Sequence, residues 1–189
     1  MKIEIEKKYE ITHSDLEIIK NNCEFMETKI IKDYYLDTDE YILVKNNYHF
    51  RMRNGLYELK IPSYDKQTHL DSSKEYDDED EINEQLERFN ITLDDVEAKI
   101  WVETNRTIYR YTYKDYEVSF DIDDYKIGSR YEIELLLDDD EGIDGNKIIE
   151  DIRSQLWLTA PISLHWWKMI NAAMHQNIEL YEILAEIQS

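Results

Sequence analysis

The chain has 189 residues, of which 42% are hydrophobic and 34% are charged, and its formal net charge is -21. This length suits one globular domain with a sizeable core. The negative charge argues against generic binding to nucleic acid or to an anionic membrane, since both require a basic protein surface. Fifteen tyrosines and four tryptophans, with only four glycines and two prolines, argue against a disordered chain.

Cysteine usage and the lack of long apolar segments indicate the compartment. Cys23 is the only cysteine, which excludes an intramolecular disulfide and favours a reducing environment. No stretch approaches the roughly 18 consecutive apolar residues of a membrane span, and the N-terminal segment lacks the apolar core of a secretion signal. We therefore predict a cytoplasmic protein, monomeric or homodimeric, without a membrane partner.

Alternating and helical patterns define the elements of the first half of the chain. In chain order they predict a strand at 2–11, a helix at 12–22, an extended segment at 25–37 and two strands at 48–53 and 56–61. Asn54-Gly55 separates the last two strands. This dipeptide between alternating runs is the strongest short-range signal of a hairpin.

The second half begins with the most acidic stretch of the chain, residues 71–81, which we expect to be solvated surface. The elements predicted after it are a helix at 83–89, three strands between 99 and 137, and helical segments at 144–156 and 164–187, the last one interrupted. Neither a linker nor a fixed-period repeat is visible. We therefore predict one α+β domain over residues 1–189 with a mainly antiparallel sheet.

Several predicted strands carry charged residues at even spacings, which places these residues on one face of each strand. They are Glu4, Glu6 and Lys8; Arg51 and Arg53; Glu58 and Lys60; Arg106 and Arg110; Asp121 and Asp123; and Glu132 and Glu134. The opposite faces are apolar or aromatic, as faces covered by helices would be.

Two arrangements satisfy this pattern: an open sheet with its charged face in water, or a closed barrel with a charged interior. Burying so many ions without partners would be very unfavourable, so a charged interior must be wet and hold countercharges. The set contains seven carboxylates and six bases, a near balance that suits a channel binding a metal together with a polyanion. Carboxylates are ligands for Mg2+ or Mn2+, and Arg and Lys bind phosphate oxygens.

The motifs of this face, in their order along the chain, resemble those of the CYTH superfamily, the triphosphate tunnel metalloenzymes. Glu4-x-Glu6-x-Lys8 resembles the ExExK signature of that family. The resemblance continues with Tyr34-Tyr-Leu-Asp-Thr38, Phe50-Arg-Met-Arg53, Glu58-Leu-Lys60, Lys74-Glu75, Asn105-Arg106, Phe120-Asp-Ile-Asp123 and Tyr131-Glu-Ile-Glu134. It implies an eight-stranded antiparallel β-barrel that forms a tunnel with a charged interior, covered by helices outside.

The resemblance also implies roles for individual residues. The metal ligands, for Mg2+ or Mn2+, would be Glu4, Glu6, Asp121, Glu132 and Glu134. The substrate-binding residues would be Lys8, Arg51, Arg53, Lys60, Glu75, Arg106, Asp123 and Lys168, with Glu75 and Asp123 also open to holding the metal, a water or the bases. The catalytic residues would be Glu6, Lys8 and Glu134. We expect a metal-oriented water near Glu6 or Glu134, and an internal lattice of ion pairs that includes Glu58 and Arg110.

Within the superfamily the chain is most similar to the thiamine-triphosphatase branch, through Leu158-Thr-Ala-Pro161 and Glu58-Leu-Lys60-Ile-Pro62. Two departures weaken the case for thiamine itself. His49 stands where the vertebrate enzyme has a Trp before its Arg-x-Arg. Ser163 stands where that enzyme has a substrate-contacting Lys, although Lys168 lies a few residues on.

The resemblance predicts metal-dependent hydrolysis of a triphosphate to diphosphate and phosphate. The substrate is left open among inorganic triphosphate, thiamine triphosphate and a nucleoside triphosphate. One alternative is a class IV-type adenylate cyclase that makes cyclic AMP from ATP, and another is a non-catalytic module that binds polyphosphate or a nucleotide. The retained carboxylates argue against the binding module, because a pure anion sensor could lose Glu4 and Glu6.

Overall fold

A computed structural model describes residues 2–65, 67, 70–138, 144–163 and 166–188 of the chain. The strands in these residues are β1 (Lys2–Glu10), β2 (Glu24–Asp37), β3 (His49–Arg53), β4 (Leu56–Asp65), β5 (Leu70–Tyr76), β6 (Glu97–Tyr113), β7 (Tyr116–Tyr125) and β8 (Gly128–Asp138). The helices are α1 (His13–Asn22), α2 (Ile42–Lys45), α3 (Glu79–Leu86), α4 (Gly145–Leu156), α5 (Trp167–Gln176) and α6 (Ile178–Gln188). Short 3-10 turns cover Glu87–Phe89 and Leu93–Asp95.

The eight strands of the described residues form a closed antiparallel barrel in the order β1-β5-β4-β3-β2-β6-β7-β8. β1 pairs with β8 along its whole length, from Lys2 opposite Asp138 to Glu10 opposite Arg130. The helices pack outside the barrel. Closure pairs the strand edges that an open sheet would leave exposed. The predicted α+β barrel is therefore confirmed.

The hairpin between β3 and β4 follows from its two turn residues. Asn54 and Gly55 have positive φ angles, of 50° and 89°, as both central residues of a type I′ turn require. The strands pair with Arg51 opposite Glu58. The predicted hairpin is confirmed, and its register brings an arginine beside a glutamate.

The acidic stretch 71–81 differs from its prediction. Its first part belongs to β5, and Asp71 is only 5% exposed, so this residue is not solvated surface. No strand is predicted there because Asp, Lys and Glu occupy three of the seven positions of β5, and these residues are depleted in strands. α3 begins at Glu79, earlier than predicted, because Asp78 accepts hydrogen bonds from the first backbone N–H groups of the helix.

The C-terminal part is helical, as predicted. α4 begins after Asp144, whose side chain accepts the N–H of Lys147 at 3.0 Å. The predicted interruption lies at Asn177, between α5 and α6, while residue 164, where the last segment was predicted to begin, lies outside the described residues. None of the helices in the described residues combines the length and the apolarity needed to cross a membrane.

The chain divides into two compact units, each with its own apolar core. Unit 1 comprises Met1–Ile30, Ser63–Ser73 and Thr104–His165, and unit 2 comprises Ile31–Pro62, Lys74–Glu103 and Trp166–Ser189. In unit 1, the apolar faces of β1, β7 and β8 pack against α1 and α4, with Tyr9, Phe120 and Ile149 fully buried. In unit 2, Leu59 and Ile82 are fully buried in the core. A single domain over residues 1–189 stays a prediction.

Asp15, at the start of α1, fixes the segment that follows α4. Its fully buried carboxylate accepts the backbone N–H groups of Thr159 at 3.0 Å and Ala160 at 2.8 Å, and the hydroxyl of Tyr131 at 2.8 Å. Burial alone would raise the pKa of Asp15, but these hydrogen bonds outweigh burial and lower it. The Thr-Ala-Pro element therefore has a structural role in unit 1.

The same segment also holds β1. The N–H of Glu10 donates to the carbonyl of Pro161, and the N–H of Ser163 donates to the carbonyl of Lys8, each at 2.9 Å. Since β1 is also paired with β5 and β8, the backbone of Lys8 is held from several sides. Ser163, the residue that departs from the thiamine-triphosphatase branch, thus supports β1 through its backbone.

Candidate functional site

One face of the unit 1 strands carries a dense group of buried and half-buried charged side chains. The acidic members, hereafter the carboxylate cluster, are Glu4, Glu6, Asp71, Asp121, Asp123, Glu132 and Glu134. The bases among them are Lys8, Arg106 and Arg130. Seven carboxylates against three bases form an acidic group, and buried negative charge of this kind must be offset by cations or by protons.

Two sets within the carboxylate cluster have the spacing of metal ligands. Glu4, Glu6 and Glu134 offer oxygens within 4.8 Å of one another, and Asp121, Glu132 and Glu134 do the same. Strand pairing produces this proximity, since Glu6 lies opposite Glu134 and Asp121 lies opposite Glu132. Carboxylate oxygens are the ligands that Mg2+ and Mn2+ prefer. The residues present therefore fit a divalent cation.

Arg106, on β6, joins three carboxylates of the cluster. Its Nε and Nη2 atoms donate to the two oxygens of Asp123, each at 2.6 Å. Its Nη1 donates to Asp121 at 2.6 Å, and Nη2 also donates to Glu132 at 3.2 Å. Burial alone would lower the pKa of Arg106, but its three partners outweigh burial and raise the pKa well above its ordinary value. Arg106 therefore stays charged and neutralises part of the cluster.

Asp121 has a raised pKa even though Arg106 donates a hydrogen bond to it. Burial raises the pKa of Asp121, and Arg106 opposes this rise without reversing it. The neighbouring carboxylates of Glu132 and Asp123 raise the pKa further. A cation beside Asp121 would reduce the repulsion between its carboxylate and those of Glu132 and Asp123.

Lys8, on β1, is the second of the three bases that contact the carboxylate cluster. Its ammonium group donates to Asp71 at 2.9 Å and also to Glu6. Burial alone would lower the pKa of Lys8, but Asp71 and Glu6, with Glu132, outweigh burial and raise it. Arg130 opposes this rise, as a nearby cation does. Lys8 is therefore a charged donor held between carboxylates.

Arg130, on β8, is the third base and is only 5% exposed. Its Nη2 donates to Glu132 at 2.8 Å, and its Nε donates to the hydroxyl of Tyr125 at 3.3 Å. It lies at even spacing from Glu132 and Glu134 and so shares their face of the strand. Arg130 was not predicted as a site residue, although it has the same periodicity as the two glutamates.

Unit 2 carries a second charged group, hereafter the base cluster. Its members are Arg51, Arg53, Lys60 and Lys168, with the acids Asp33, Glu58 and Glu75. Asp33, on β2, is fully buried and accepts from Arg53 Nε at 2.7 Å and from Lys168 Nζ at 2.5 Å. Burial alone would raise the pKa of Asp33, but the cations around it, Lys168 foremost, hold the pKa well below its usual range.

Ion pairs also join the other members of the base cluster. Arg51 donates to Glu58 from Nε at 2.8 Å and from Nη2 at 2.5 Å, and Lys60 pairs with Glu75. The structure therefore places Glu58 in an ion-pair lattice, as predicted. Asp33 was not predicted, although it lies opposite Arg53 in the pairing of β2 with β3.

Comparison with known proteins places the chain in a family. Residues 2–158 match the CYTH domain family. The chain belongs to the CYTH family. This confirms the family to which the sequence motifs pointed. The curated proteins contain no significant match to this CYTH chain.

Solved structures share the fold of this CYTH protein. A protein of Pyrococcus horikoshii OT3 is 24% identical, with a TM-score of 0.57, and the alignment covers 85% of this chain and 93% of the other. A Hippeastrum protein, proposed to be an adenylyl cyclase and described as having a dominant triphosphatase activity, is 17% identical, with a TM-score of 0.59 and coverages of 86% and 91%. A Bacillus halodurans protein proposed to be an adenylate cyclase is 15% identical, with a TM-score of 0.53 and coverages of 88% and 97%.

The predicted site residues of this CYTH protein fall into the two charged groups. In unit 1 lie the predicted metal ligands Glu4, Glu6, Asp121, Glu132 and Glu134, together with Lys8, Arg106 and Asp123. In unit 2 lie Arg51, Arg53, Lys60, Glu75 and Lys168. Both groups also contain residues that were not predicted, namely Asp71 and Arg130 in unit 1 and Asp33 in unit 2.

Arg110 differs from the other residues of the predicted charged face. It pairs with Glu117 at 3.0 Å, and the two side chains are 44% and 65% exposed. The prediction that Arg110 belongs to an internal lattice is therefore wrong. The reason is its position near the turn between β6 and β7, opposite Ser119, where the side chain reaches solvent.

His49, which stands where the vertebrate thiamine triphosphatase has a Trp, contacts a tryptophan of unit 2. The ring of Trp166 packs on the ring of His49, with 3.9 Å between their centroids. Trp166 is 3% exposed, and Lys168, which follows it at the start of α5, is also buried. An aromatic ring thus packs on the residue that precedes Phe50-Arg-Met-Arg53.

Proposed function

We propose that this CYTH protein hydrolyses a triphosphate to diphosphate and phosphate in a reaction that requires Mg2+ or Mn2+. One observation carries the proposal: a single unit holds seven buried or half-buried carboxylates and three bases on one face of its strands. An acidic group with bases among its members suits a divalent cation and a polyanion together. Neither ligand alone accounts for both kinds of residue.

The metal ligands in this proposal are Glu4, Glu6, Asp121, Glu132 and Glu134. When bound there, a divalent cation supplies neutralisation of phosphate oxygens and polarisation of the phosphorus. The carboxylates Glu6 and Glu134 lie opposite each other on β1 and β8. We assign to one of them the orientation of the attacking water, whose proton a carboxylate can accept.

Lys8 and Arg106 bind the phosphates in this proposal. A lysine ammonium group has three N–H donors, and the described contacts of Lys8 use two of them, on Glu6 and Asp71. The third can bind a phosphate oxygen. Fixed positive charge of this kind stabilises the negative charge that develops on the leaving group during phosphoryl transfer. Asp123 holds Arg106 through two hydrogen bonds and so positions it.

The remaining assignments follow from the family resemblance. Arg51, Arg53, Lys60 and Lys168 are proposed as phosphate ligands, with Glu75 holding Lys60. The triphosphate is the recognised element, and inorganic triphosphate, thiamine triphosphate and nucleoside triphosphates all present it. A cytoplasmic location and a monomeric or homodimeric state also stay predictions.

A cyclase is the second candidate, because the Hippeastrum protein has been proposed to be an adenylyl cyclase. The same description gives it a dominant triphosphatase activity, which supports placing hydrolysis first. A cyclase releases pyrophosphate and cyclic AMP from ATP, whereas a triphosphatase releases phosphate. The products therefore separate the two functions.

The deciding experiment incubates the protein with Mg2+ or Mn2+ and with inorganic triphosphate, thiamine triphosphate or ATP. We expect release of phosphate that stops when the metal is chelated. Glu6→Gln should abolish turnover with little change in the melting temperature, whereas Glu117→Gln, a matched change at an exposed glutamate, should keep full activity. Pyrophosphate with cyclic AMP would establish the cyclase instead, and the absence of any product would favour a binding module.

Lys8→Met is a second test of the same assignment. It too should abolish turnover. This change also removes the ammonium group that pairs with buried Asp71 and with Glu6. The melting temperature of the Lys8→Met protein therefore has to be measured together with its activity. Full activity in either Lys8→Met or Glu6→Gln would contradict the assignment.

A further inference from the structure

Arg130 has a donor group that the described residues leave without a partner. Its Nη1 atom is buried, and no described residue accepts a hydrogen bond from it. The other two nitrogens donate to Tyr125 and Glu132. A buried charged donor without an acceptor is strongly unfavourable, and such groups in folded proteins call for a ligand or a water.

The neighbours of Arg130 are already engaged in other contacts. Asp123, opposite Arg130 on β7, uses both carboxylate oxygens for Arg106 and also accepts from the hydroxyl of Tyr125 at 2.8 Å. Glu10, opposite Arg130 on β1, is exposed. These residues therefore leave Nη1 available to a molecule that enters the site.

The orientation of the guanidinium group is fixed before any ligand arrives. Nη2 donates to Glu132 at 2.8 Å, Nε donates to Tyr125, and the guanidinium carbon lies 6.0 Å from the centre of the Tyr125 ring. A donor held in this way loses little conformational entropy when it binds. Planar guanidinium groups match the oxygens of phosphate in particular.

Arg130 is also close to a second cation. Lys8 lies opposite Glu132 in the pairing of β1 with β8, and Arg130 donates to the same Glu132 at 2.8 Å. Two cations that are kept near each other, one with an unused buried donor, favour an anion as the missing partner.

We propose that Arg130 is a further substrate-binding residue, whose Nη1 group donates to a phosphate oxygen of the triphosphate. The proposal rests on the proposed function and adds to it a ligand that the family motifs did not supply. The competing role is that Arg130 acts only by positioning Glu132. The two roles differ in what they do to metal binding, because Glu132 is a proposed metal ligand.

The experiment compares Arg130→Gln, Arg130→Lys and the wild-type protein. Steady-state kinetics with inorganic triphosphate at saturating Mg2+ give kcat and KM, and titration with Mn2+ alone gives the metal affinity. We expect kcat/KM to fall roughly tenfold to hundredfold in Arg130→Gln, as the loss of one charge-assisted hydrogen bond implies, and Mn2+ affinity to change less than about twofold. Arg130→Lys, which keeps the charge, should show a smaller loss.

Arg110→Gln is the matched control, because Arg110 is an exposed arginine outside the charged groups. It should keep wild-type kinetics. A loss of Mn2+ affinity as large as the loss of kcat/KM, with both restored in Arg130→Lys, would overturn the proposal in favour of positioning. Unchanged kinetics in Arg130→Gln would overturn it as well.

A failure of the proposed function is distinguishable from a failure of this inference. If the wild-type protein hydrolyses no triphosphate, the measurement becomes the rise in melting temperature that inorganic triphosphate causes. A rise that is present in the wild type and lost in Arg130→Gln supports binding at Arg130, and an equal rise in both proteins excludes it. Arg130→Lys takes the place of Arg130→Gln if the latter does not fold.

Discussion

Arg106 and Asp123 form a bidentate ion pair, with Nε and Nη2 of the arginine each 2.6 Å from a carboxylate oxygen. The same guanidinium group also donates to two proposed metal ligands, Asp121 and Glu132. One base thus contacts three carboxylates and reduces the repulsion between them. Replacement of Arg106 therefore probes both the stability of unit 1 and its need for a cation.

We expect Arg106→Gln to lower the free energy of unfolding by about 3–5 kcal/mol in the presence of a chelator, because removal of one partner leaves buried charges uncompensated. Mn2+ should recover part of that loss. Urea unfolding with a chelator and with Mn2+ gives both values. Arg110→Gln, on the same strand but exposed, should change stability by less than about 0.5 kcal/mol. Wild-type stability of Arg106→Gln in the chelator would refute the neutralising role.

Asp71 is expected to position Lys8, to which it is hydrogen-bonded at 2.9 Å. Asp71→Asn should lower kcat/KM for inorganic triphosphate by about tenfold or more, as the loss of a hydrogen bond between charged groups implies. The loss arises because an amide lacks the negative charge of the carboxylate, so that Lys8 would keep its charge-assisted hydrogen bond only with Glu6. Asp77→Asn, at an exposed position, is the control. Equal kinetics of the two variants would show that Asp71 has no such role.

Asp33 is expected to make unit 2 sensitive to acid. Its folded pKa lies below the ordinary value of 3.8, so its contribution to stability is complete above pH 3.8 and is lost as the pH falls below that value. Asp33→Asn should therefore cost about 3–5 kcal/mol at neutral pH and less in acid. Urea unfolding of both proteins at about pH 7 and about pH 3 checks this difference. A cost independent of pH would contradict the prediction, and exposed Asp94→Asn serves as the control.

A side chain at Gly145 is expected to destabilise unit 1. A Cβ atom there would lie 2.7 Å from Ile5 Cδ1 and 3.0 Å from Ile5 Cγ2, so Gly145→Ala should cost about 1–3 kcal/mol through overpacking. Ile5 lies between Glu4 and Glu6 on β1, and its displacement should also weaken Mn2+ binding. Thermal unfolding and Mn2+ titration measure the two effects.

The double variant Gly145→Ala with Ile5→Val tests the cause of that loss. Valine lacks the Cδ1 atom, so the closest clash disappears and part of the stability should return. Gln155→Ala, at an exposed position of α4, should leave both measurements unchanged. A double variant less stable than Gly145→Ala alone would show that the clash with Ile5 is not the cause.

The sequence by itself determined which residues share a face of each strand. Side chains alternate along a strand, so even spacing alone places Glu4, Glu6 and Lys8 on one face and, by the same rule, Arg130 with Glu132. The turn between β3 and β4 was likewise determined by two adjacent residues, Asn54 and Gly55. Such features depend only on residues close together in the chain. Strand β5 was not predictable in this way because its residues have low strand preference.

Only the tertiary structure decided which acid binds which base. Lys8 binds Asp71, 63 positions away, and Lys168 binds Asp33, 135 positions away. The first pair depends on the order of strands in the closed barrel, in which β1 lies beside β5, and the second depends on where α5 packs in unit 2. Periodicity carries no information on either, because it fixes the direction of a side chain but not the neighbour that it meets. The burial of Asp33, Asp71 and Arg130 likewise depends on the side chains that the fold packs around each of them.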